Sequence, residues 1–393
     1  MNGDAECFVP LESTALKQVS AHPSSRKVML CCYEPPGFGG ASSQSYDLLL
    51  KMRNDGIDAS LVNLIDERDR AFFEYTFGSL LGNPDGADAV YNATITGAFA
   101  DPQPELGATI ERLSPDVIVA VGYIATVAVK RYQSGRPIIF YAVGGSLAQL
   151  MVLDGWADDA ITLAALLRRA GRPPLVEELG ERRAVEAASL VITNSTSLYE
   201  QYIAFYPGWA GKIYPRVVWT TEWIVESTVR YASLAKPFDQ REIDMLFVAS
   251  SWDRRVKNYR LVKRLSREFP HASIHVVGDI VERIPRVTHH GFLASPARLF
   301  ELMGDTRTIV SPSLIDAAPG ILFQASTMGC NIVASKNCGN WTICNPELLA
   351  DPYDAGVFAK CITRSYKAKY QDNMAEFVQS GSYQDLIETI MVL

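Results

Sequence analysis

The chain has 393 residues, enough for two or three domains at roughly 150 residues each. Hydrophobic residues make up 48% and charged residues 21%, which argues against a disordered chain. Lys and Arg total 37 against 44 Asp and Glu, a net charge of −7. That balance lacks the basic surplus of proteins that neutralise nucleic-acid phosphates, so no nucleic-acid partner is expected.

The sequence opens Met1-Asn2-Gly3-Asp4-Ala5-Glu6, acidic and without the apolar core of a signal peptide. Apolar runs at 27–33, 59–65, 116–122, 137–143 and 190–194 then alternate with stretches of helical spacing, one of them at 44–52 and stopped near Gly56. Buried parallel strands with crossover helices read this way. Adjacent Cys31 and Cys32 sit in the first run. Seven cysteines with no CxxC pair suit reduced core thiols, and a cytoplasmic location is expected. The first strand leads into Glu34-Pro35-Pro36-Gly37-Phe38-Gly39-Gly40-Ala41-Ser42, where Gly39 and Gly40 let backbone approach a ligand. The same loop resembles a damaged dinucleotide fingerprint. Asp66, 27 residues beyond Gly39, lies far for a ribose-binding acid, whose usual spacing is about 20. The apolar run 117–129 falls short of the about 20 residues of a spanning helix and reads as core. Asp158-Asp159 reads as a polar connection, and 160–169 as an amphipathic surface helix, so any membrane contact is peripheral.

Around 231–242 the pattern breaks at Lys236-Pro237 and Asp239-Gln240-Arg241-Glu242, as in a hinge or linker. A second series of runs follows at 244–250, 272–278, 307–312 and 331–335. The fold class is therefore α/β, two Rossmann-like domains facing each other across a cleft, with ligands at the carboxyl ends of the strands. The boundaries read as 1–235, 236–375, and a terminal helix in 376–393 whose Leu386, Ile387, Ile390 and Met391 pack back on the first domain. After the first strand of the second domain comes Ser250-Ser251-Trp252-Asp253-Arg254-Arg255-Val256-Lys257-Asn258. Arg254 and Lys257 are spaced to grip a diphosphate, one as a fork and one as a point charge, with Arg255 as the competing Arg. Arg260, Lys263, Arg264 and Arg267 beyond them form a solvated helix face, with a weak acidic-lipid contact as its alternative. Further on, Pro312-Ser313-Leu314-Ile315-Asp316-Ala317-Ala318-Pro319-Gly320 leads into an apolar helix at 321–328, with Gly329 at its end and a strand after it. The N–H groups of Gly320, Ile321 and Leu322 would open that helix unpaired, and such an end binds phosphate. Asp316 and Gln324 bracket it eight positions apart. The plain alternative is a βαβ unit with a surface Asp.

This stretch resembles the signature of the group 1 (family 4) GT-B glycosyltransferases. Their pattern is Pro-Ser, an acidic residue, a Gly-rich loop, a second acidic residue eight positions on, and a small-Gly-x-x-Val-Val-Ala-Ser strand. The likeness runs from about 27 to 366 and is most specific in the second domain. It implies that Asp316 contacts the donor sugar and that Gln324, standing for the second acid, meets the ribose. It further implies that Arg254 and Lys257 clamp the diphosphate and that Pro319, Gly320, Ile321 and Leu322 cradle it. Gly39 and Gly40 would lie beside the transferred sugar, and Gly278, Gly291 and Phe292 toward the base. The activity implied is transfer of a sugar, with retention, from a nucleoside-diphosphate sugar to the hydroxyl of a glycan, lipid or small molecule. The leaving diphosphate takes the acceptor proton. The donor is a substrate, and no further cofactor is expected. No isolated Asp-x-Asp follows a strand end, so no metal is expected either.

One departure stands out. Many members carry a His after the strand at 137–143, where this chain reads Tyr141-Ala142-Val143-Gly144-Gly145-Ser146. The five histidines are His22, His271, His275, His289 and His290, none of them at that place, so a His-based acid/base is disfavoured. The alternatives are a non-catalytic nucleotide-sugar-binding or partner subunit on the same fold, or a nucleotide-sugar epimerase, which would want paired carboxylates and His. A phosphorylase would want a pyridoxal-phosphate Lys, and a dehydrogenase ranks last.

Overall fold

The computed structural model describes residues 26–33, 40–71, 73–74, 89–98, 101–144, 176–214, 230–280, 282–293, 295–339, 344–365 and 383–393. Gly39, Gly145-Ser146, Asp158-Asp159, the segment 160–169 and His22 lie outside these.

In the first half, β1 (Lys27–Tyr33), β2 (Asp58–Asp66), β3 (Val90–Ile95), β4 (Val117–Val121), β5 (Ile138–Ala142) and β6 (Leu190–Thr193) form one parallel sheet in the order β3-β2-β1-β4-β5-β6. In the second half, β7 (Ile243–Ser251), β8 (Ile274–Asp279), β9 (Thr288–His289), β10 (Thr306–Ser311), β11 (Asn331–Ser335) and β12 (Leu349–Ala350) form a second, in the order β12-β11-β10-β7-β8-β9. Read from its first strand, each sheet has the doubly wound order, with its switch point between β1 and β4 or between β7 and β10. This is the expected pair of Rossmann-like domains.

Burial on both faces explains why β1 is apolar from Val28 to Cys32. Val28, Leu30 and Cys32 enter one core with Leu48 and Leu49 of α1 (Gly40–Asn54). Met29 and Cys31 enter the opposite core with Leu106 of α2 (Pro104–Leu113) and Ala125 of α3 (Gly122–Lys130). A strand covered on both faces has no polar side, and the two thiols lie back to back across the sheet. The apolar run 117–129 is two elements, β4 and α3. Gly122, at φ +82, makes the abrupt turn between them that a Cβ would disfavour. The second sheet is covered on one face by α6 (Tyr259–Glu268) and α9 (Ala355–Ser365), and on the other by α7 (Pro296–Gly304) and α8 (Gly320–Thr327). In the first half, α4 (Val176–Ala187) and α5 (Thr196–Phe205) flank β5 and β6. The last helix, α10 (Tyr383–Val392), sends Leu386, Ile387 and Ile390 into the first sheet's core, and Arg26 Nη1 donates to Met391 O at 3.0 Å.

The segment expected to be a hinge or linker is mostly exposed, and it is anchored to the second half through Tyr231 and Arg241. Tyr231 stacks on Phe300 of α7, ring centroids 4.7 Å apart. Arg241 is 3% exposed and donates to the carbonyls of Lys236, Thr306, Met328 and Gly329. Its charge is satisfied by backbone dipoles at the end of α8.

Candidate functional site

The candidate residues converge on the carboxyl ends of β7 and β10, the switch point of the second sheet. After β7 the chain makes a short 3-10 turn, Arg255–Lys257, in which Lys257 N donates to Arg254 O at 2.9 Å. Arg254 is exposed and makes no ion pair among the described residues; Arg255 is exposed too. Lys257 Nζ reaches across to Asp316 Oδ2 at 2.5 Å, with the two side chains 21% and 16% exposed. Two residues that stand 59 apart in sequence therefore meet at one point.

Asp316 is fixed by its backbone. Its N–H donates to Asn337 O at 3.2 Å and its carbonyl accepts from Gly339 N at 2.7 Å. Asn337 Nδ2 donates to Leu314 O at 2.8 Å, and Leu314 N donates to Val256 O at 2.8 Å. Beneath the carboxylate lies Cys338, whose thiol is pushed up to about 12 by burial and then by the Asp316 charge, so it stays protonated. Asn337 and Gly339, in the Asn-Cys-Gly turn after β11, were not singled out in the sequence. Turn-forming residues directly after a buried strand were the available signal.

Pro319 precedes α8 and is buried, and Gly320 and Ile321 follow half-buried. A Cβ on Gly320 would meet nothing within 4 Å, so packing does not require glycine there, and the face it presents is open. Leu322 departs from expectation. Its N–H donates to Pro319 O at 3.1 Å and its side chain is fully buried in the second core. The helix start tightens into a 3-10-like turn, which consumes that donor. Gln324 lies one turn further along α8, half-buried, with no side-chain hydrogen bond among the described residues.

Of the other expected contacts, Gly278 and Gly291-Phe292 sit one or two strands away, and Gly40 lies in the first half. Gly278 ends β8 at φ +116, and a Cβ there would come within 1.9 Å of Ala249 O, so the close approach of β7 requires this glycine. Gly278 N donates to Gly291 O at 2.8 Å, and Phe292 follows at 40% exposure. Gly40 opens α1 at the carboxyl end of β1. His275, His289 and His290 serve the frame. His290 Nε2 lies 3.0 Å from His275 Nδ1, and Ile284 N donates to His289 Nε2. Asp66, weighed above as a ribose ligand, is gripped by Arg68 Nε and Nη2 at 2.9 and 2.6 Å, which lowers its carboxyl to about 2.

The first sheet closes on this loop. Ala317 joins the core of Phe140, Ala142 and Tyr202, and Phe205 packs against Val256 and Ile315. The Lys257–Asp316 pair therefore lies where the two halves meet.

No family model and no curated protein matches the chain. Solved structures do. HepE from Anabaena, in complex with UDP, is 16% identical, with a TM-score of 0.63 over 93% of this chain and 100% of that one. Sucrose-phosphate synthase from Thermosynechococcus elongatus is 14% identical, with a TM-score of 0.61 over 93% and 94%. The N-terminal domain of trehalose-6-phosphate phosphatase from Candida albicans is 11% identical, with a TM-score of 0.62 over 95% and 98%. The shared fold is the GT-B arrangement, matched over nearly the whole length.

Proposed function

We propose that this chain is a glycosyltransferase that moves a sugar from a nucleoside-diphosphate sugar to an acceptor hydroxyl, with retention and without a metal. The observation that carries this reading is the meeting of Lys257 and Asp316 at a switch point, beside the open amino end of α8. A cation, exposed Arg254 and the N–H groups of Gly320 and Ile321 suit a diphosphate. The complex of similarly folded HepE with UDP supports a uridine donor.

In this reading the acceptor oxygen bonds to the anomeric carbon on the face from which the β-phosphate oxygen departs. The acceptor proton passes to that leaving oxygen. Lys257 and Arg254 stabilise the growing diphosphate charge, which is where catalysis gains most. Asp316 orients the donor sugar's hydroxyls and holds Lys257 in line. Gln324 hydrogen-bonds the ribose diol as a neutral amide.

Calorimetry with UDP, GDP and ADP tests the donor half. Lys257→Ala should weaken the tightest of them by about ten- to a hundredfold, the worth of a charge-assisted hydrogen bond. Gly320→Ala should leave thermal stability intact and also weaken binding, because its methyl would enter the space a phosphate needs. Failure of all three nucleotides to bind the native chain, or unchanged affinity in Lys257→Ala, would refute the reading. Turnover with a UDP-sugar, and the product's anomeric configuration by NMR, tests transfer and retention.

A further inference from the structure

The residue after the site lysine is placed in an unusual way. Asn258 has φ +58 and ψ +47, a left-handed conformation that Gly adopts freely and Asn tolerates better than other residues. It ends the 3-10 turn that carries Lys257 and begins α6. Its Nδ2 donates to two backbone carbonyls, Pro312 O and Pro352 O, both at 3.0 Å. Pro312 follows β10 on the way to Asp316, and Pro352 follows β12. One side-chain amide therefore ties together the loops at the carboxyl ends of β7, β10 and β12.

Two requirements coincide at this position. The backbone needs a residue that tolerates positive φ, and the carbonyls of two buried prolines need N–H donors. Gly meets the first and offers no donor. Asp meets the first and would set oxygens against oxygens. Gln has the donors without the local backbone preference. Because both partners are carbonyl oxygens, they also fix which end of the amide faces them. Of these four residues, Asn meets both requirements.

We propose that Asn258 is a positioning residue for nucleoside-diphosphate recognition: it holds the Lys257 turn at a fixed offset from the Asp316 loop, so that the ammonium meets the phosphates without a search. This rests on the donor reading given above. Holding a flexible lysine in the bound geometry lowers the entropic cost of binding, and an untethered turn would give that advantage up.

The test is a double-mutant cycle by calorimetry, using whichever of UDP, GDP and ADP binds best. Asn258→Gly keeps the backbone conformation and removes both donors. Asn258→Asp, nearly the same shape, serves as the second variant if the glycine variant does not fold. Either should raise the dissociation constant about tenfold, equivalent to about 1.4 kcal/mol. In a Lys257→Ala background the same change should have almost no effect, because Asn258 acts through that lysine. A purely structural role would instead lower the melting temperature and weaken binding equally in both backgrounds, which overturns the proposal. An unchanged dissociation constant in both single variants overturns it as well. If Lys257→Ala itself leaves affinity unchanged, the donor reading falls and this inference with it. If Lys257→Ala weakens binding while Asn258 acts additively, the inference alone falls.

Discussion

Two charges facing each other at 2.5 Å set the residue-scale behaviour of this site. Lys257 has to serve both Asp316 and, in the proposed reaction, a diphosphate. Asp316→Asn should therefore separate binding from turnover. With the competing carboxylate gone, UDP should bind about threefold more tightly, in keeping with the about 0.2–1 kcal/mol typical of partly exposed ion pairs. Turnover should fall, because the amide neither orients the donor sugar as a carboxylate does nor holds the ammonium in line. Calorimetry and a transfer assay on the same preparation would show the split, and a variant that binds more weakly and turns over normally would reverse the assignment. The residue types at this point were readable, since Arg254, Lys257 and Asp316 are chemically distinctive. Their pairing was not, because it depends on a contact across 59 positions.

Secondary-structure elements were legible in proportion to their burial. β1 and β11 fall at 27–33 and 331–335, where continuous apolar runs placed them. The strands without such a run are β3, β9 and β12, and each lies at an edge of its sheet. An edge strand packs less and need not be apolar on both faces; β3 carries Asn92 and Thr94, and β9 and β12 have two residues each. Arg241 belongs to this scale as well. In sequence it sits in a charged string, and in the fold it bonds the carbonyls at the end of α8 and at the start of β10. Arg241→Met should leave several buried carbonyls without donors and cost about 3 kcal/mol or more. Urea denaturation would measure the loss, and a change below about 0.5 kcal/mol, the usual range for surface positions, would mean that water replaces the guanidinium.

For the whole molecule, stability should depend on pH through its histidines. His275, His289 and His290 are held below the ordinary imidazole range, chiefly by burial and further by neighbouring charges: each other, Arg283 and Arg298; Asp305 opposes the shift at His275 and the Ile284 backbone hydrogen bond opposes it at His289. A lowered base is neutral in the fold, whereas the unfolded chain takes up its proton near pH 6.5. Stability should therefore fall as pH drops from about 7 toward 5. Asp66, at about 2, is ionised throughout that window and adds its own loss only below about pH 4. Thermal denaturation at pH 7.5 and 5.5 would show the difference, and identical midpoints would mean these imidazoles titrate alike folded and unfolded. By itself, the sequence determined the buried strands of a two-sheet α/β protein and which loops carry charge and glycine, because burial on both faces writes an apolar run. Only the tertiary structure decided which partners those residues meet. The Lys257–Asp316 contact, the Asn258 tether and the contacts of Tyr231 and Arg241 all join positions far apart along the chain, and spacing within a segment holds no record of distances between segments.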